Sequence, residues 1–284
     1  NSTLTASNIW KVFVSDYSQT QLILEKCEPL DINKFKVTNT NSPLHWGQKY
    51  EPVSILYYEY IHNTKVSEFG CIPHKDYSFI AASPDGIICD GSSKLFGRML
   101  EIKNVVSREI TGIPKMEYWI QMQLQMEVCN LDVCDFLETR FIEYDTCDDY
   151  ECDGTFNLTQ DGKHKGIFIM FMDMDGKVIY KYPPFGETRE VFEQWERTTM
   201  EVYSDMEWIR NIYWRLDQVS CVVVERNKLW FSLSYPLIET LWKTIETEKI
   251  TGFDHRKPKR RRKISPEKSS GCIIDLSAHQ SSEN

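Results

Sequence analysis

Three side chains frame the chemistry this chain could do: Asp85 in Ser83-Pro84-Asp85-Gly86, and Glu101 and Lys103 in Leu100-Glu101-Ile102-Lys103. An apolar exit from the turn and a Gly/Ser-containing loop lie between them. Phe79 to Ile88 and Arg98 to Lys103 read as neighbouring antiparallel strands, with Asp85-Gly86 at a bend in the first. Alternation along a strand then points Glu101 and Lys103 one way and Ile102 the other, and Asp85 can join the charged pair from the adjoining strand. Two carboxylates are hard oxygen ligands suited to Mg²⁺ or Mn²⁺. An ammonium beside them can orient an attacking water or stabilise the charge that builds on a phosphodiester in its transition state. Such a set suits phosphodiester hydrolysis. Taken alone, the same string also fits a solvated hairpin, so the remainder of the chain has to decide.

A length of 284 residues with 41% hydrophobic and 13% aromatic content supports a globular core. No run of eighteen apolar residues appears, and the start shows no basic-then-apolar leader, so the expectation is a soluble, intracellular protein without a membrane span. Of the nine cysteines, the nearest pairs are Cys129 with Cys134 and Cys147 with Cys152. Neither is a Cys-x-x-Cys, so reduced thiols are expected rather than structural zinc. The net charge of −9 is unevenly spread: residues 251–284 carry +4, leaving −13 on the first 250. A domain that acidic excludes general coating of nucleic acid and would need a local groove with masking cations.

The elements that must position the three side chains follow from periodicity. Ser7 sits where a first helix could begin, ahead of Ile9, Val12 and Phe13; it reads as an N-cap or as part of a phosphate-holding helix start. Ser42-Pro43 opens a second helix whose stripe is Val53, Leu56, Tyr57, Tyr60 and Ile61, with Glu51 off that stripe beside a kinking Pro52. Val66 to Pro73 and Tyr77 to Ala82 read as strands. Met116 to Val128 reads as a helix with Ile120, Leu124 and Val128 buried, while Tyr118, Gln121 and Gln125 share another face that calls for a polar neighbour or for solvent. Beyond it are expected a strand over 133–144, a loop over 145–165, a hairpin around Asp175-Gly176, a helix from Glu187 to about Arg215, and a last helix over 230–248 carrying Leu233, Leu237, Leu241 and Ile245. From about residue 251 the chain is read as a basic, disordered tail. Its Lys257–Lys263 run suits nuclear import, a phosphate-binding arm or plain solvation.

The P-D-G…E-I-K spelling resembles the PD-(D/E)xK nuclease superfamily. Together with Trp46-Gly47…Glu51-Pro52 and Tyr118-x-x-Gln121-x-Gln123, in that order over about eighty residues, the chain more closely resembles the lambda-exonuclease/YqaJ-like viral recombinase family. That resemblance implies an α/β fold with a restriction-endonuclease-like central mixed β-sheet flanked by helices, with an added hairpin and C-terminal helices. It implies a Mg²⁺-dependent deoxyribonuclease, for which Mn²⁺ could substitute, resecting double-stranded DNA ends 5′→3′. Metal would be held by Glu51, Asp85, Glu101 and the Ile102 carbonyl. Lys103 and Gln121 would hold the nucleophile, Tyr118 and Gln123 would support the site, and Ser7 and Ser83 would line a 5′-phosphate pocket. It implies a single-strand annealing protein and self-association into rings as partners, while the basic tail makes a host nucleus or viral factory the expected location. The chain departs from the family in having Asn104-Val105 where Cys-Pro is common; some members carry an arginine ahead of the segment matching Thr5-Ala6-Ser7, and here only Asn1 to Leu4 precede it, which leaves a truncated chain or a different cation as the alternatives. A structure-specific endonuclease and a catalytically silent DNA-binding protein are the rival expectations.

Overall fold

The computed structural model describes residues 2–29, 40 and 42–258. In chain order the elements begin with β1 (Leu4–Thr5), α1 (Ala6–Ile9), α2 (Asp16–Cys27), α3 (Pro43–His62), β2 (Ile72–Pro73), β3 (Ile80–Ala82), β4 (Gly86–Ile87) and β5 (Met99–Asn104). They continue with α4 (Met116–Cys129), β6 (Val133–Glu143), α5 (Cys147–Cys152), β7 (Lys165–Met172), β8 (Val178–Lys181), α6 (Arg189–Val202), β9 (Glu207–Glu225) and α7 (Lys228–Thr251). The main sheet is mixed, ordered β4-β5-β6-β9-β7-β8 with only β5 and β6 parallel, and a small sheet is ordered β1-β3-β2.

The strand expected over 79–88 divides between the two sheets. Ala82 ends its half against Ile72 in the small sheet, and Gly86 resumes against Leu100 in the main one. Pro84 has no N–H to give a ladder, so pairing breaks there. The break leaves Asp85 free, and its carboxylate accepts the Ile102 N–H at 2.6 Å, continuing the β4–β5 ladder by side chain. Gly86 is required at this crossing, because a Cβ there would stand 2.1 Å from Val66 Cγ1.

Helices sandwich β5. Leu100 and Ile102 pack under Ile55 and Tyr58 of α3, and Met99 packs under Met122 and Met126 of α4. Ser42 caps α3 by accepting the His45 N–H at 3.1 Å, and the helix runs unbroken through Pro52. Its buried face is Tyr50, Val53, Ser54, Ile55 and Tyr58, whereas Tyr60 and Ile61 are exposed. The stripe is rotated from the expected one because α3 lies along β5 and β6 and reaches down to polar partners: Ser54 Oγ donates to Asn104 Oδ1 (2.7 Å) and Tyr58 Oη to Asp135 Oδ2 (2.6 Å).

The helix expected over 187–215 is α6 followed by the first half of β9. Ile212, Trp214 and Leu216 are buried at every second residue, the strand period. The 145–165 segment contains α5, capped by Thr146 accepting the Asp149 N–H at 3.1 Å. In α7, Leu233 and Leu237 face solvent; Phe231, Ile238, Leu241, Trp242 and Ile245 form the buried side, shared with α1, α2 and α4. Among the described residues no helix is long and apolar enough to cross a membrane.

The ordered fold extends past residue 250. A short turn over Asp254–Arg256 brings the Arg256 guanidinium onto Glu248, with Nε and Nη2 at 2.5 and 2.6 Å from the two carboxylate oxygens. Most of the basic run, from Lys259 on, lies outside the described residues. The Arg256 hydrogen bonds hold the Glu248 carboxyl below its usual range. A folded-state value below the unfolded one gives stability that is present above the ordinary carboxylate range and lost as pH falls through the lower value. Arg256→Gln should therefore lower the Tm at pH 7, with the gap to wild type closing as pH is taken below about 4, measured by thermal melts across pH.

Candidate active site

Glu101 is fully buried, and both its oxygens are occupied. Oε1 accepts from Lys103 Nζ and from Gln121 Nε2 (2.8 Å), and Oε2 accepts from Gln125 Nε2 (2.8 Å). Strand alternation supplies the lysine and α4 supplies the two glutamines, one helical turn apart. Lys103 Nζ also lies 3.5 Å from Gln121 Oε1 and 5.0 Å from the centre of the Tyr118 ring. Burial works against the ammonium, yet the Glu101 and Asp85 charges outweigh it and raise the Lys103 pKa, so the side chain stays charged.

Glu51 reaches the same place from α3. Glu51, Asp85, Glu101, Ile102, Lys103, Tyr118 and Gln121 line one cleft of about 520 Å³ at the end of β5. Its acids are short of positive charge. Burial, and then Glu101, push the Asp85 carboxyl well above the usual range. Burial, Glu101 and Glu68 raise Glu51 as well.

The other expected residues lie elsewhere. Gln123 points away from the cleft: its Nε2 donates to the Glu225 carbonyl (2.9 Å) and its Oε1 accepts the Asn227 N–H (2.6 Å), which ties β9 to the start of α7. Two positions along the helix separate it from each of the glutamines that touch Glu101, which turns it to the far side, and the motif spelling did not distinguish them. Gln125, seen in the sequence only as sharing a face with Gln121, is the second glutamine that meets Glu101. Ser7 and Ser83 are exposed and stand two residues beyond the registered pair Thr5–Ala81, so both leave the small sheet at the same end. Ser7 Oγ lies 3.2 Å from Thr5 Oγ1, and it is the Ser83 carbonyl, 3.3 Å from Gln125 Nε2, that connects to the acids.

Two further residues were not legible. Asn104 accepts from Ser54 and Thr139 hydroxyls, both at 2.7 Å, and donates to the Gly47 carbonyl at 2.9 Å, clamping α3 to the end of β5. Arg108 lines the cleft with its guanidinium 5.5 Å from the Tyr118 ring centre, anchored by the buried Glu138.

The donor set fits a hard divalent cation: mutually repelling carboxylates with raised pKa values beside the Ile102 backbone are what such an ion relieves. Among the described residues no three Asp, Glu, His or Cys side chains converge closely enough to enclose an ion by themselves. Mg²⁺ commonly takes one or two carboxylates and completes its shell with water or substrate oxygens, so Asp85 and Glu101, with the Ile102 carbonyl and Glu51, are the residues that could hold one.

Residues 1–132 match the model of the YqaJ-like viral recombinase domain. Over that span the chain is similar to the YqaJ-like viral recombinase domain. All the cleft residues named above fall inside it. An uncharacterized protein of Acanthamoeba polyphaga mimivirus is 34% identical over 283 residues, covering 84% of this chain. The chain spans about half (49%) of that relative's length. The fold is similar to that of an alkaline exonuclease from Laribacter hongkongensis, with a TM-score of 0.50 at 19% identity over 87% of this chain and 90% of that one. A phage-related exonuclease from Haemophilus somnus aligns over 87% and 92% of the two chains with a TM-score of 0.40 at 11% identity.

The hydrogen bonding along α4 separates its glutamines. Gln125→Leu leaves Glu101 Oε2 buried without a donor and should cost about 1–3 kcal/mol, read by urea unfolding in the absence of metal, with Gln125→Glu worse because it sets two carboxylates together.

Proposed function

We propose that the chain is a divalent-metal-dependent deoxyribonuclease, most specifically an exonuclease that resects duplex DNA ends 5′→3′ to leave a 3′ single strand for recombination or repair. The observation that carries this reading is the convergence of Asp85, Glu101 and Lys103 at the end of β5, in a cleft also reached by Glu51 and Gln121. Neither a silent scaffold nor a glycosidase needs an ammonium on the buried acid.

Each side chain has a role. Mg²⁺, or Mn²⁺ in its place, held by Asp85, Glu101, the Ile102 carbonyl and Glu51, would supply charge neutralisation at the phosphate and a more acidic water. Gln121 fixes Lys103 and Glu101 together, so the ammonium stands at a set distance from the scissile phosphate and can hold the attacking water or the developing negative charge. Tyr118 sets its ring 5.0 Å from the ammonium, a cation–π contact that favours the charged form. Arg108, 5.5 Å from the centre of the same ring, offers a second cation to the DNA backbone. Ser7 and Ser83 would meet a terminal 5′-phosphate at the end of the small sheet.

Digestion of end-labelled linear duplexes with 5′-phosphate or 5′-hydroxyl ends, with and without Mg²⁺, tests the proposal. Metal-dependent release of mononucleotides from 5′ ends is expected, and cutting of covalently closed circles would favour the endonuclease instead. Asp85→Ala, Glu101→Ala and Lys103→Ala should each lower the rate by at least about a hundredfold while far-UV circular dichroism stays native. Full activity in the Lys103→Ala protein would refute the role given to it.

A further inference from the structure

The strand β9 is paired on one side only over most of its length. β7 covers Glu207–Arg215, and the Leu216 N–H closes that side on the His164 carbonyl at 2.8 Å. On the other side β6 continues to Glu225, where the Arg226 N–H donates to the Asp132 carbonyl at 2.9 Å. That last bond fixes the alternation: Val224, Val222, Ser220 and Gln218 turn their backbone groups toward β6, and Val219, Cys221 and Val223 turn theirs away. The register shift beside Arg140, which skips Asp217, agrees, since it sends Leu216 to the opposite side. Among the described residues nothing bonds the outward N–H and C=O groups of Val219, Cys221 and Val223. The next outward carbonyl, of Glu225, is already taken by Gln123.

Buried or not, such an edge is a template for another strand, and proteins normally guard it with Pro, Lys or a bulge. None of these stands between Gln218 and Val224, and Val219 and Val223 are 43% and 59% exposed. We propose that this edge pairs with the same edge of a second copy of the chain, antiparallel about a twofold axis at Cys221. Its own symmetry names the occupant. The two exposed valines stand equidistant from Cys221, so a twofold sets Val219 of each copy opposite the partner's Val223 and covers all four in β-branched pairs. Six outward backbone groups from each copy meet complementary groups in the process. Farther out, Asp217 comes opposite the partner's Glu225, and the Lys163 ammonium, 3.0 Å from Asp217, offsets the charge of that carboxylate. None of these residues lines the cleft, so the inference is independent of the nuclease reading.

Light scattering on the full chain during gel filtration tests it, with a mass of twice 33.5 kDa expected. Val223→Pro removes only an outward N–H, and Val219→Lys places a charge on the edge; each should weaken self-association about tenfold or more without changing the circular dichroism spectrum. Should the proline variant fail to fold, the lysine variant carries the test. A short bismaleimide should link two copies through Cys221, and Cys221→Ser should abolish that link. A one-copy mass overturns the proposal, and if the amides of 219, 221 and 223 are then protected from exchange, a segment of the same chain covers the edge. An assembly that survives both edge variants and gives no Cys221 link overturns it equally.

Discussion

A carboxylate with no access to solvent has to be satisfied from within, and in this fold that constraint falls on Glu101. Its three donors come from two elements only: Lys103 on its own strand, and Gln121 and Gln125 on α4. The requirement therefore fixes how α4 is rotated over the sheet. The rest of α4 complies by being buried nearly all round, with Met122 and Met126 against β5 and Ile120 and Leu124 toward α1, α2 and α7. A charged device at a strand end is held by a helix that has almost no solvent face of its own.

The opposite side of β5 is fixed by a second polar set. Asn104 joins Ser54, Thr139 and the Gly47 carbonyl. These bonds hold the N-terminal half of α3, and with it Glu51, over the end of the strand. Asp85 arrives by a third route, the break between two sheets at Pro84, which frees its carboxylate from a strand position and lets it take the Ile102 N–H. Three independent supports thus bring three acids to one cleft, and their mutual repulsion with burial lifts the Asp85 and Glu51 pKa values. Lys103 offsets part of that repulsion. A divalent ion would offset more.

Much of this was readable in the residues, for physical reasons that differ by element. Strand alternation is strict, so the shared face of Glu101 and Lys103 followed from spacing alone. Ser42-Pro43 and Asp175-Gly176 are local signals, and both elements lie where those signals put them. Helical rotation was less legible. In α3 and α4 polar residues are among the buried ones, so an apolar stripe misplaces the buried face of α3, and motif spelling picks Gln123 where Gln125 touches the acid. The segment 206–216 carries aromatic and aliphatic residues that suit either period, and only pairing to β6 and β7 makes it a strand. Asn104 and Arg108 gave no signal because their partners, Thr139 and Glu138, are distant in sequence.

The central claim is that the buried, triply hydrogen-bonded Glu101 forms one wall of a divalent-cation site. Anomalous diffraction from crystals grown with Mn²⁺ tests it most directly. The account predicts a peak about 2.0–2.3 Å from a Glu101 or Asp85 oxygen, with the Ile102 carbonyl also in its shell and Lys103 Nζ displaced from Glu101 Oε1 or sharing it. A fully occupied peak elsewhere in the molecule, with the Glu101 hydrogen bonds unchanged and nothing at the end of β5, would contradict it.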